Sequence, residues 1–205
     1  MGTPVSSAPG VPGLTYLPGQ LEPAQQDELL ARIDRLPWRE DLKRRVQHYG
    51  YRYDYTRKRI DEDLYLGPLP GWADDLAARL RRAGHVPRDL DQLIVNEYLP
   101  GQGIAPHVDC VPCFADTVLS VSLGSACVMT FRHPAGETQL DLLLEPGSLL
   151  VMTGPARYEW RHGIAPRKTD RYHGSVHPRS RRVSLTFRSV LRQNPDSGHS
   201  TGGRG

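Results

Sequence analysis

Arg182-Val-Ser-Leu-Thr-Phe-Arg188 alternates without a break, with Val183, Leu185 and Phe187 on one parity and Arg182, Ser184, Thr186 and Arg188 on the other. Successive side chains of a β-strand point to opposite faces. The segment therefore reads as a strand with one apolar face, packed outward or into a sandwich core, and one polar face that carries two guanidinium groups. At ~3.3 Å per residue the two arginine Cα atoms stand about 20 Å apart, and each long side chain closes part of that distance. The remaining gap suits a small dicarboxylate held at both ends by guanidinium forks.

Other short strand-like runs surround it, at about 93–98, 117–123, 127–131, 139–144, 148–152 and 157–162, with turns such as Pro134-Ala-Gly136 and Pro146-Gly147 between them. Many short strands separated by turns indicate a β-sandwich or jelly roll. Two helices precede them. Pro23 opens one in which Leu29, Leu30, Ile33 and Leu36 recur on one side, and a second runs from about Trp72 to Ala83, with Leu76 and Leu80 a turn apart and Gly84 as its stop. The fold class is α+β, a jelly roll with two N-terminal helices packed on one sheet.

The 205 residues fit one domain, with 38% hydrophobic and 24% charged residues. Residues 1–12 and 193–205 are rich in Gly, Ser and Pro, with too few apolar groups to pack, and read as disordered tails around a domain at 13–192. Three cysteines provide no disulfide framework and point to a reducing compartment, the cytoplasm. No apolar run is long enough for a membrane span, and the chain is expected to be a monomer.

The chemistry starts in Asn96-Glu-Tyr-Leu-Pro-Gly-Gln-Gly-Ile-Ala-Pro-His107-Val-Asp109. Residues at i and i+2 of a strand share a face, so His107 and Asp109 offer an imidazole and a carboxylate side by side. These are two of the three ligands of the 2-His-1-carboxylate triad that binds Fe(II) and leaves coordination positions open. His162, in Arg157-Tyr-Glu-Trp-Arg-His-Gly-Ile, ends a strand-like run and is the favoured second histidine, with His173 and His177 as alternatives in a loop-like stretch. Cys110-Val-Pro-Cys113 has the spacing of half a zinc knuckle, but the remaining ligands are scattered.

A third region is Arg45-Val-Gln-His-Tyr-Gly-Tyr-Arg-Tyr-Asp-Tyr55, in which Tyr49, Tyr51, Tyr53 and Tyr55 share one parity beside Arg57, Lys58 and Arg59. One tyrosine-lined face next to cations suits a flipped base beside its phosphates, and tyrosine is equally at home as a packed strand residue. The net charge is only +3, yet residues 157–192 hold ten Lys or Arg against Glu159 and Asp170, so Arg167 and Lys168 are candidate phosphate contacts.

Asn96-x-Tyr98, His107-x-Asp109, His162-Gly-Ile and Arg182-(x)5-Arg188, in this order, resemble the AlkB family of Fe(II)- and 2-oxoglutarate-dependent dioxygenases over roughly residues 13–192. Within that family the chain is most similar to the oxygenase domain of tRNA wobble-uridine hydroxylases, through Arg45-Val-Gln-His-Tyr-Gly-Tyr51, Pro100-Gly-Gln-Gly-Ile104, Ser122-Leu-Gly-Ser125, Leu149-Leu-Val-Met-Thr-Gly154 and Gly163-Ile-Ala-Pro-Arg-Lys168. The resemblance implies a double-stranded β-helix. It implies Fe(II) on His107, Asp109 and His162, and 2-oxoglutarate held by Asn96, Tyr98, Arg182, Ser184 and Arg188, with O2 as co-reactant. It further implies a nucleotide-recognition lid at about 45–60 with His48, Tyr49, Tyr51 and Tyr53 toward a substrate in tRNA, single-stranded RNA or DNA. Three substrate classes follow: alkylated bases in DNA or RNA, a modified wobble uridine of tRNA, and a protein. Repair members of the family carry an acidic residue two positions after the Asp ligand, where this chain has Val111.

Overall fold

A computed structural model describes residues 6–7, 10–40, 44–54, 57, 60, 62–136 and 138–191. The larger sheet contains β1 (Ser6–Ser7), β2 (Leu14–Leu17), β3 (Val46–Tyr49), β4 (Gln92–Tyr98), β6 (Phe114–Gly124), β9 (Leu149–Met152) and β13 (Arg182–Val190), in the order β1-β2-β9-β6-β13-β4-β3. Facing it is a four-stranded sheet, β5 (Ile104–His107), β10 (Arg161–Ile164), β7 (Cys127–Arg132) and β8 (Gln139–Leu144), in that order. A separate hairpin joins β11 (Thr169–Tyr172) to β12 (Ser175–Pro178). The strand pairings are antiparallel, and the two facing sheets form the expected jelly roll.

Two apolar layers hold it. The helices α1 (Pro23–Asp34) and α2 (Gly71–Arg82) cover the outer face of the larger sheet, where Ile33, Leu76 and Leu80 pack with Leu93, Val95, Val183, Leu185 and Phe187. The apolar parity of β13 thus packs outward against helices, each buried Leu or Phe contributing roughly 1.5–3 kcal/mol. Between the sheets lies a second cluster, including Val118, Phe131, Leu144, Leu150 and Trp160. The polar parity of β13 faces this inner space.

Three local expectations are corrected. Residues 157–162 are not one strand: a short helix α3 (Gly154–Tyr158) takes the first part, and β10 begins only at Arg161. Residues 6–12 are not a loose tail throughout, since Ser6 and Ser7 pair with β2 and Val11 is only 2% exposed in the inner cluster; the rest of the expected tails, 193–205 among them, lies outside the described residues. The tyrosine segment does not keep one parity, because β3 stops at Gly50. There φ is +74°, and a Cβ would sit 1.8 Å from the Asp91 carbonyl oxygen, so only glycine makes the turn. Among the described residues no helix is long and apolar enough to cross a membrane.

Candidate active site

His107 ends β5 and pairs directly with His162 on β10, which puts both imidazoles on the inner face with ring centroids 4.4 Å apart. Gly163 allows this pairing, because a Cβ there would lie 2.9 Å from Pro106 N and 3.0 Å from the Ile104 carbonyl oxygen. Asp109 follows two residues after His107, and ligand atoms of His107, Asp109 and His162 all lie within 4.8 Å of one another. The alternatives His173 and His177 belong to the β11–β12 hairpin and are not part of this group.

Burial and nearby charges act on two of the three groups. Burial pushes His162 down to about 4, so its imidazole is neutral at pH 7 and keeps a lone pair. Burial alone would raise Asp109, but Arg188 foremost, then His162, His107 and Arg157, overcome that and hold the carboxyl well below its usual range. Arg188 Nη2 donates to Asp109 Oδ1 at 2.8 Å, while Asp109 Oδ2 and His162 Nδ1 are buried without a hydrogen-bond partner. His107 Nδ1 lies 2.9 Å from the Ala105 carbonyl oxygen; a proton there leaves Nε2 as the ligating atom. Two imidazoles and one carboxylate, with buried unpartnered atoms on His162 and Asp109, fit a divalent iron.

The same cavity, about 710 Å³, is lined by Asn96 and Tyr98 of β4 and by Arg182, Ser184, Thr186 and Arg188 of β13. Arg182 is 2% exposed, donates from Nη2 to Ser122 Oγ at 2.9 Å, and leaves Nε and Nη1 without partners. Arg188 also donates to Gln92 Oε1 at 3.2 Å, and its Nε has no partner. Unmatched guanidinium donors at both ends of one strand, buried beside a ligand cluster, fit the two carboxylates of 2-oxoglutarate. Ser184 shares a hydrogen bond of 3.0 Å with Ser120.

The lid candidates separate. Tyr49 pairs with Leu93 and packs on the helix side, edge-on to Trp72 at 5.7 Å, so it stands away from the cavity. Tyr51 is 7% exposed and packed on Tyr65. Tyr53 does line the cavity, 5.9 Å from the Phe114 ring. His48 pairs with Ile94, a cavity residue, and shares its face of the sheet. Tyr55, Lys58 and Arg59 lie outside the described residues. Arg167 and Lys168 are not gathered at the cavity: Arg167 donates to the fully buried Asp170, which Arg179 also holds, and the Lys168 carbonyl accepts from Arg179 N. That cluster staples the β11–β12 hairpin to Val128.

The cysteine pair is corrected as well. Cys110 and Cys113 form a disulfide across a short turn, with Cα atoms 5.3 Å apart, so neither offers a thiolate to zinc and the cysteine count says nothing about compartment. The chain between them, Val111 and Pro112, forms part of the cavity wall.

Two residues escaped the sequence reading. Arg157, 2% exposed, donates to the carbonyl oxygens of Asp109, Cys110, Phe114 and Ala115 at 2.9, 3.1, 3.3 and 3.3 Å. The helix that aims it was signalled by Thr153 at the N-cap and Pro155 in the first turn. Arg44 lines the cavity and donates from Nε to Asn96 Oδ1 at 3.0 Å.

The family model described as the 2OG-Fe(II) oxygenase superfamily matches residues 13–188. The chain is 38% identical over 203 residues to tRNA (carboxymethyluridine(34)-5-O)-methyltransferase alkbh8 of Xenopus tropicalis, covering 87% of this chain and 32% of that protein. It is 34% identical over 187 residues to protein L905 of Acanthamoeba polyphaga mimivirus, covering 88% of this chain and 86% of that one. Among solved structures, OsALKBH1 shares the fold at a TM-score of 0.69 and 19% identity, covering 90% of this chain and 99% of that one. The chain thus spans about a third of the length of its animal ALKBH8 relatives. The ligand cluster and the arginine pair line one cavity, and the chain belongs to the 2OG-Fe(II) oxygenase superfamily, whose members use Fe(II), 2-oxoglutarate and O2, with AlkB-like proteins among its relatives.

Proposed function

We propose that this dioxygenase oxidises a modified nucleobase in nucleic acid, and that a modified tRNA uridine is the substrate its cavity suits best. The observation that carries this is the neutral wall facing the ligand cluster: Tyr53, Val111, Pro112 and Phe114 line it, and Asp109 is the one carboxylate among the cavity's described residues. A planar, uncharged ring can stack there, whereas a cationic lesion such as 1-methyladenine finds no anionic partner. The name of the relative in Xenopus tropicalis points to uridine 34 of tRNA, and those of other relatives to DNA N6-methyl adenine and to RNA/DNA demethylation, so nucleic acid is the shared substrate class.

His107, Asp109 and His162 would hold the iron, while Arg182 would pair with the distal carboxylate of 2-oxoglutarate and Arg188, Ser184, Asn96 and Tyr98 would secure its near end. With both bound, the centre couples decarboxylation of 2-oxoglutarate to hydroxylation: 2-oxoglutarate, O2 and a substrate C–H bond give succinate, CO2 and a C–OH group. Hydroxylation on an N-methyl group releases formaldehyde; on a carbon side chain it leaves a stable alcohol. Every residue invoked comes from one chain, so the reading requires no second copy, and a tRNA substrate would place the protein in the cytoplasm.

Mass spectrometry of nucleosides from tRNA and genomic DNA, in cells with and without the protein, tests the reading. A hydroxylated uridine lost on deletion is the expected result. Accumulation of an N-methylated base in DNA would point to repair, and unchanged nucleosides in both pools would overturn the nucleic-acid reading in favour of a protein substrate.

A further inference from the structure

Arg44 stands at the place where the cavity opens. It lines the chamber that holds His107 and Asp109, and it also lines an adjoining surface groove of about 670 Å³ along Gly103, Ile104, Gly163 and Arg132. Its guanidinium carbon is 5.6 Å from the centroid of the Tyr98 ring, and that of Arg182 is 5.5 Å from the same ring.

Most arginines around the site are already matched. Arg45 and Arg181 share Glu97, Arg167 and Arg179 share Asp170, and Arg188 has Asp109. Arg157 is spent on main-chain carbonyls, and Arg182 is buried deep beside Ser122. Arg44 is half-buried like Arg45 and Arg181, but unlike them it pairs with no carboxylate of the described residues. Only its Nε is used, on Asn96 Oδ1, which fixes the guanidinium plane and leaves the terminal nitrogens as a fork. A cation held in one orientation at a cavity mouth, with its fork unmatched, is built to take a pair of anionic oxygens.

We infer that Arg44 is the substrate-anion receptor of this enzyme, binding an anionic oxygen of the nucleotide whose base enters the chamber. The inference rests on the nucleic-acid reading above and sharpens it. Two sources carry that chemistry: a backbone phosphate next to the flipped nucleotide, and a carboxylate on the base substituent.

The test is fluorescence anisotropy with the full chain, free of metal and 2-oxoglutarate so that Asn96's part in cosubstrate binding does not enter. The probes are three anticodon stem-loop RNAs with uridine, 5-carboxymethyluridine or 5-carbamoylmethyluridine at the wobble position. Arg44→Gln is expected to weaken binding about tenfold or more, and Arg44→Lys, which keeps the charge but not the fork, to recover part of it. If the oxygen belongs to a phosphate, the loss is equal for the three RNAs and the slope of log K against log salt falls by about 1. If it belongs to the base, the loss is confined to the 5-carboxymethyluridine RNA. Arg44→Gln binding all three RNAs with the wild-type Kd would overturn the inference while leaving the nucleic-acid reading intact. Failure of the wild type to bind any of them at low salt would sink that reading and the inference with it.

Discussion

Arg157 Nη1 donates to the main-chain carbonyl of Asp109 at 2.9 Å, from a helix that lies 48 residues further along the chain. The Asp109 carboxylate and the backbone that carries it are thus held by different arginines, Arg188 on the side chain and Arg157 on the main chain. Arg157→Met should leave four carbonyl groups short of a donor, at roughly 1–3 kcal/mol for each that stays buried and unpaired. A lower unfolding midpoint together with at least about tenfold weaker Co(II) binding is expected, with Arg157→Lys intermediate. Co(II) affinity equal to wild type in folded Arg157→Met would show that the arginine does not position Asp109.

Removing a ligand should end turnover. His107→Ala or Asp109→Ala is expected to abolish succinate production from 2-oxoglutarate with iron supplied, because two protein ligands no longer define three corners of the coordination sphere. Wild-type succinate formation by either variant would refute the ligand assignment.

Arg182→Ala should act mainly on the cosubstrate. Loss of a buried charge-assisted pair of about 1.5–3 kcal/mol corresponds to a KM for 2-oxoglutarate raised by about 10- to 150-fold. Arg188→Ala should be at least as damaging, since that residue also anchors Asp109. Steady-state kinetics at varied 2-oxoglutarate decides it, and an unchanged KM in Arg182→Ala would remove that residue from the cosubstrate site.

Acid should weaken the fold through Glu97. Hydrogen bonds from Arg45 foremost, and then Arg181, hold this buried carboxyl below its ordinary value against the cost of burial. A depressed folded-state pKa contributes stability that is present above the ordinary carboxylate range and lost as pH falls through the folded value. Urea unfolding of wild type and Glu97→Gln should therefore differ most at pH 7 and converge toward pH 3. A gap that stayed constant over this range would show that the ion pairs add no net stability.

Val111 is 47% exposed on the cavity wall. Val111→Asp should bring a carboxylate beside the base and raise activity on an oligonucleotide with cationic 1-methyladenine, measured as formaldehyde release, by about tenfold. If the variant showed no gain while still turning over 2-oxoglutarate, the neutral wall would not be what disfavours cationic bases.

Much of this protein could be read locally. A strand repeats every two residues, so the parity of Arg182, Ser184, Thr186 and Arg188 follows from position alone, whereas Asp109 lies just past the end of β5 and meets His107 and His162 through the chain that follows the strand. The apolar spacing of α1 and α2 and the turns between strands mark the α+β jelly roll in the same way, because each signal is complete within a dozen residues. Tertiary structure decided the rest. The partners of Arg157 lie more than 40 residues away, and no periodicity announces a buried arginine that caps carbonyls. Arg167 reads as a free cation until Asp170 is seen to be buried beneath it, and the tyrosines read as one face until Gly50 turns the chain. Sequence determines which chemical groups are present and which face of an element they share, since both are local; only the packed chain determines which charges are neutralised and which remain for a ligand, since burial and pairing depend on segments that meet through the fold.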